Sequence, residues 1–197
     1  FPATVHILGH KSIIKIGGRQ IGFIGKWHYI CENPIKSPMA RQLHLSAKIT
    51  VCRYNELTDN EKILVDKARA AVKGAYAPYS GFRVGAAIEL ADGRIITGSN
   101  QENGSYPEGL CAERVALFSA GAISHDTPPV LLAIAAENNG EEVVSPITPC
   151  GACRQVMRET ELRYATPLRT LMCGAEDIYI AESAGDLLPL GFELPSH

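Results

Sequence analysis

Neither sign of charge dominates this sequence: 19 Lys and Arg stand against 21 Asp and Glu. Without a basic excess the chain has no overall field to recruit nucleic acid, and small molecules become the expected partners. Long hydrophobic runs are lacking too. No apolar stretch approaches the roughly 18 residues that a bilayer-spanning helix requires, which argues against a membrane partner. The opening residues show no charged segment leading into a compact apolar one and a small-residue cleavage site, so a cytoplasmic setting is expected. Cysteine is sparse, with six in 197 residues. That density is too low for a disulfide-stapled secreted domain and fits a reducing compartment. Low-complexity tracts and internal repeats are missing as well. What remains, 46% hydrophobic and 20% charged, is the composition of an ordinary folded protein. The length favours one domain with an appendage at most.

Charge and glycine usage divide the chain near residue 38. Up to Pro38, Lys11, Lys15, Arg19, Lys26 and Lys36 face Glu32 alone, and five glycines accompany the only Trp, Trp27. Pro34 and Pro38 close the segment and disfavour any continuation of regular structure. Residues 1–38 are therefore expected to be an appendage outside the catalytic fold, with Met39 as the expected beginning of a single catalytic domain over residues 39–197. The competing reading is a short strand pair, because residues 12–16 and 20–24 alternate weakly around Gly17-Gly18.

Regular signals begin at Thr58. Thr58-Asp59-Asn60-Glu61 has the form of a capping box, and Ile63, Leu64, Ala68, Ala71, Val72 and Ala75 follow at helical spacing, predicting a helix over 59–73. The run from Tyr76 to Gly81 stops it. Residues 83–90 and 94–99 read as strands joined at Asp92-Gly93, a hairpin signature. Helix formers fill 112–120, and the uninterrupted apolar run at 130–136 predicts a buried strand. Pro149 opens a helix over about 150–160, where its missing N–H costs nothing. Two short strands, 168–173 and 178–181, complete the set. Alternating strands and helices argue for an α/β protein, a three-layer sandwich around a central mixed five-stranded sheet.

The chemistry-bearing residues concentrate in Cys111-Ala112-Glu113 and Pro149-Cys150-Gly151-Ala152-Cys153. Zinc takes thiolate ligands in a tetrahedron, and a catalytic site keeps one corner open by using only three protein ligands. The spacing of Cys150 and Cys153 suits one metal at a helix start, although the same spacing serves structural zinc sites and redox motifs. Cys111 offers a third ligand. Glu113 adds what a structural site does not need, a carboxylate near the open corner. Three thiolates return three negative charges to a dication, so compensation is required. Two predicted helix N-termini supply part of it, and Arg114 is either a donor to a ligating sulfur or a surface cation.

These motifs match the zinc nucleoside deaminase signature in its three-cysteine form. Further agreement comes from Tyr76 through Ala87, from Asn100-Gln101-Glu102-Asn103 and from Leu110-Cys111-Ala112-Glu113-Arg114. Over residues 57–192 the chain resembles the small, homotetrameric class of cytidine deaminases. The resemblance implies the cytidine deaminase-like fold, one Zn²⁺ per chain on Cys111, Cys150 and Cys153, and a role in pyrimidine salvage. It implies hydrolytic deamination of cytidine and deoxycytidine to uridine and deoxyuridine with ammonia. Glu113 would shuttle protons between a water on the zinc, ring N3 and the leaving amine. It places Phe82 against the pyrimidine, Asn100 and Glu102 on the ribose hydroxyls, the Ala112 N–H on the base carbonyl, and Phe192 in a neighbouring subunit's site.

Plainer roles exist for several of these residues. Phe82 beside a strand suits a core, Asn100 and Glu102 suit a turn and a surface, and Cys31, Cys52 and Cys173 suit unliganded thiols. A fourth ligand at Cys173 would close the metal site and make it structural. A deaminase of a related cytosine-containing antibiotic would share the motifs and differ around the sugar, where Asn100 and Glu102 favour ribose. A non-catalytic zinc scaffold is the alternative from another class.

Overall fold

The computed structural model describes residues 42–194 throughout, and nearer the N-terminus the backbone of three strands. The chain divides into two compact units, Phe1–His44 and Leu45–His197. In the first, β1 (Thr4–Leu8), β2 (Lys11–Ile16) and β3 (Arg19–Phe23) form an antiparallel meander. The weak alternation on either side of Gly17-Gly18 is thus a strand pair, with one further strand before it. Trp27, Cys31 and Met39 lie outside the described residues.

The second unit is built on one mixed sheet. Its strands are β4 (Ile49–Cys52), β5 (Phe82–Leu90), β6 (Ile95–Ser99), β7 (Pro129–Asn138), β8 (Glu141–Glu142), β9 (Arg169–Cys173) and β10 (Ile178–Ala181). They run in the order β4-β10-β9-β7-β5-β6, with β8 pairing β7 beyond that path. Only β7 and β9 pair in parallel, and α3 (Gly151–Tyr164) lies in the connection between them. The five strands read from the sequence are all present. The additions are the two-residue β8 and the edge strand β4, whose side chains are almost all exposed.

Alternating residues of the central strands face two apolar layers, as the two-residue period of a strand dictates. Leu131, Ala133 and Ala135 of β7 pack with Leu64, Val65 and Ala68 of α1 (Asp59–Ala71). Leu132 and Ile134 pack with Ala116, Leu117 and Ala120 of α2 (Ala112–Ile123) and with Met157 of α3. Ala184 and Leu187 of α4 (Ala184–Leu187) join that second layer. One helix on one face and three on the other make the three-layer sandwich.

Two glycines allow the helices to sit directly on the sheet. A Cβ at Gly85 would come within 2.2 Å of the Ala68 carbonyl oxygen in α1, and one at Gly98 within 2.6 Å of the Ala116 nitrogen in α2. Neither approach is possible for a residue with a side chain. Capping fixes the start of α1: the Glu61 carboxylate accepts from the Thr58 N–H at 2.9 Å, and the Thr58 hydroxyl accepts from the Glu61 N–H at 3.3 Å. The Arg169 guanidinium donates to the same carboxylate at 3.0 and 2.9 Å, joining α1 to the first residue of β9. Across the sheet, Glu161 of α3 accepts from the backbone N–H groups of Leu168 and Ala184, each at 2.8 Å.

Candidate metal centre and active site

Two helix starts converge on one point. Cys111 is the N-cap of α2, and Cys150 is the N-cap of α3 with Cys153 in the first turn. Neither cap uses its side chain to bond the helix backbone, which leaves both sulfurs free for another partner. The Cys111 and Cys150 sulfurs are 3.8 Å apart and those of Cys150 and Cys153 3.5 Å. All three lie within 4.8 Å of one another. Sulfurs each about 2.3 Å from a tetrahedral zinc stand about 3.8 Å apart, so the spacing suits that ion. Among the described residues this is the one such group of potential ligands, and the five cysteines described are all unpaired thiols.

Charge around the sulfurs is uneven. The Cys111 thiol is held down to about 5, first because Cys153 bonds to it and further because Arg114 does, against the effect of burial. Cys153 is correspondingly pushed up. Arg114 Nη2 donates to Cys111 Sγ at 3.8 Å and to the Gly109 carbonyl at 3.4 Å, while its Nε is buried without a partner.

Glu113 occupies the first turn of α2 and is 4% exposed. Burial pushes its carboxyl above the usual range, with the neighbouring Cys111 charge adding to the effect. It lines a cleft of about 920 Å³ together with Cys111, Cys150, Arg114, Phe82, Asn100 and Glu102. Phe82 begins β5 and is half-buried. Asn100 braces that strand from its end: the side chain accepts from the Val84 N–H at 2.8 Å and donates to the Phe82 carbonyl at 3.0 Å. Glu102 accepts from the Tyr79 N–H at 2.9 Å and from the Ser80 hydroxyl. Those bonds, the hydroxyl's first, hold its carboxyl below the usual range.

Two residues singled out from the sequence do not line the cleft. Ala112 is fully buried at the head of α2, and Phe192 is 67% exposed elsewhere. Phe192 is held by its backbone, which exchanges hydrogen bonds with the Gln155 side chain at 3.0 and 2.8 Å. Cys173 belongs to the apolar layer under α1 and is pushed up to about 12 by burial. It is no member of the sulfur group, which consists of Cys111, Cys150 and Cys153.

Tyr79, which the sequence offers only as part of the run from Tyr76 to Ala87, and Tyr106, which it does not single out, both line the cleft, and their rings meet edge-on at 6.1 Å. Their spacing of 27 positions carries no local signal. The sequence reading passed over Arg154, next to Cys153, whose position against a ligand was a usable clue.

A family model described as "Cytidine and deoxycytidylate deaminase zinc-binding region" matches residues 58–166. The chain belongs to this family. All three cysteines and Glu113 lie within the matched region, and Phe192 lies beyond it. The chain is 39% identical over 129 residues to a cytidine deaminase of Halalkalibacterium halodurans, covering 65% of this chain and 84% of that one. It is 41% identical over 138 residues to a cytidine deaminase of Mycobacterium tuberculosis, covering 67% and 89%. The crystal structure of a cytidine deaminase from Burkholderia pseudomallei superposes with a TM-score of 0.58 at 43% identity, covering 69% of this chain and all of that one. The cofactor is zinc, one ion per chain, at the Cys111, Cys150 and Cys153 cluster. No described helix is long and apolar enough to cross a membrane.

Proposed function

We propose that this chain is a cytidine deaminase, converting cytidine and deoxycytidine with water to uridine or deoxyuridine and ammonia. The observation that carries the reading is the placement of the buried Glu113 carboxyl in the same cleft as a three-sulfur metal site. A binding or scaffold protein has no use for that carboxylate. Zinc held by the three thiolates supplies a Lewis acid that makes water nucleophilic near neutral pH.

The protein's own residues do the rest. Glu113 accepts one proton of the water as its oxygen bonds to C4 of the pyrimidine and delivers that proton to N3; it then takes the second proton from the new C4 hydroxyl and passes it to the amine, which leaves as ammonia while the C4–N bond breaks and the carbonyl forms. A carboxyl raised by burial holds and releases a proton closer to neutrality than an exposed one. Phe82 lies against the base, Asn100 and Glu102 take the ribose hydroxyls, and the Ala112 N–H takes the base carbonyl. Arg114 offsets the thiolate charge through Cys111. Among the lining residues of the cleft Arg114 is the only cation, already engaged by a sulfur and a carbonyl. That leaves no free positive group for a phosphate and favours nucleosides over nucleotides.

Catalysis resides in residues 39–197, with residues 1–38 outside the catalytic fold. The enzyme works as a cytoplasmic homotetramer in pyrimidine salvage, without nucleic-acid partners. Exposure of Phe192 outside its own chain's cleft supports insertion into the site of a neighbouring copy. Ammonia release is measured on cytidine, deoxycytidine, the monophosphate, free cytosine and adenosine, with and without a chelator. The first two alone should react, and only without chelator. Zinc-loaded protein that leaves cytidine unchanged would overturn the reading in favour of a scaffold. Sedimentation should give a particle four times the 21.2 kDa chain.

A further inference from the structure

The three zinc ligands are not held with equal firmness. Cys153 is buried within α3, and Cys111 is gripped by Arg114. Cys150 is exposed, lies before the first helical turn and makes no capping bond. Something else must set the position of its loop.

Arg154 is placed to do so. Its Nε donates to the Pro149 carbonyl at 2.8 Å and its Nη2 to the Thr148 hydroxyl at 3.3 Å, the two residues that lead into Cys150. Its Nη1 donates to the Leu187 carbonyl at 2.9 Å, at the end of α4. All three acceptors are uncharged oxygens, and no carboxylate pairs with Arg154 among the described residues. A guanidinium spends its donors this way where its rigid planar fork fixes geometry rather than neutralises charge.

The same side of α3 holds the chain that follows Leu187. Gln155 bonds both backbone groups of Phe192, and Arg158 bonds the Glu193 carboxylate. Gly191 packs on Arg158, where an added Cβ would sit 3.2 Å from its Cγ. Residues 187–193 therefore form a strap along α3, joined through one side chain to the loop that carries a zinc ligand.

We infer that Arg154 is a positioning residue that couples the seating of this C-terminal strap to the Cys150 ligand loop, so that loosening the strap loosens the metal. The coupling rests on the zinc reading of the site, and not on the identity of the substrate. Partners that orient metal ligands are typically worth roughly 10–100-fold in metal affinity.

The test is zinc release from the holoenzyme into a chromophoric chelator, together with the visible spectrum of the cobalt-substituted protein. Arg154→Met should release zinc about tenfold faster and shift the cobbalt–thiolate bands. Arg154→Lys keeps the charge but lacks the fork, and should release zinc as fast as Arg154→Met. Gln155→Ala touches only the strap and should also speed release, by a smaller factor. Wild-type release in Arg154→Met or Gln155→Ala, or restoration by Arg154→Lys, overturns the inference. Gln155→Ala decides the matter if Arg154→Met does not fold. Release is read without substrate, so failure here is distinct from failure to deaminate cytidine.

Discussion

Cys153 and Cys173 are both buried thiols of one unit, yet they belong to opposite layers of the sheet. Cys153 lies one helical turn before Met157, in the layer of α2 and α3, and Cys173 lies under α1. Their neighbours decide their chemistry: two more sulfurs for one, aliphatic carbon for the other.

Cys153→Ser and Cys150→Ala should each lose bound zinc, and Cys173→Ala should keep a full equivalent. The last change removes a buried sulfur from an apolar layer and should cost about 1–2 kcal/mol of stability. Metal analysis with thermal denaturation separates the two outcomes.

Glu113→Gln preserves the shape of the side chain and removes its proton transfer. Zinc content should stay at one per chain while kcat falls by roughly 10³-fold. Retention of more than a tenth of the activity would falsify the role given to Glu113.

Arg114→Gln keeps a donor near Cys111 but removes the positive charge. Turnover should fall by roughly 10–100-fold with zinc retained, because the thiolate excess is then uncompensated. Parallel metal and ammonia assays read the difference.

Glu61 gives a pH dependence away from the site. Burial alone would raise its carboxyl, but the bonds from Thr58 and Arg169 outweigh it and the net shift is downward. A carboxylate depressed in the folded state stabilises above its unfolded value near 4.3 and loses that contribution as pH falls through the folded one. Glu61→Gln should lower stability by about 1–3 kcal/mol at pH 7. The loss should shrink toward pH 3, and melting temperatures at the two pH values check it.

Local pattern made much of this protein legible. Thr58 and Glu61 announced a helix start, the Asp92-Gly93 turn announced a hairpin, and the apolar run of β7 announced a strand covered on both faces. The zinc ligands were readable for the same reason, since Cys150 and Cys153 need only one helical turn to meet. β4 was not readable. Its four residues form a strand through pairing with β10, more than 120 positions away, and the alternation of Ile49 and Val51 is too short to stand out in the sequence. α4 is a single turn capped by Ser183, too short for periodicity. In the site, the grip of Arg154 on Leu187 spans 33 positions, and the meeting of Tyr79 with Tyr106 depends on two loops folding over one cleft.

The 39 positions between Cys111 and Cys150 hold all of α2 and β7, so the sulfurs meet only after that helix has docked and the strand has found its place in the sheet. Closing such a loop carries an entropic cost that the packed layers must meet first. The metal centre is thus a product of the tertiary fold, and any change that lets α2 or β7 drift from its seat is expected to part Cys111 from Cys150.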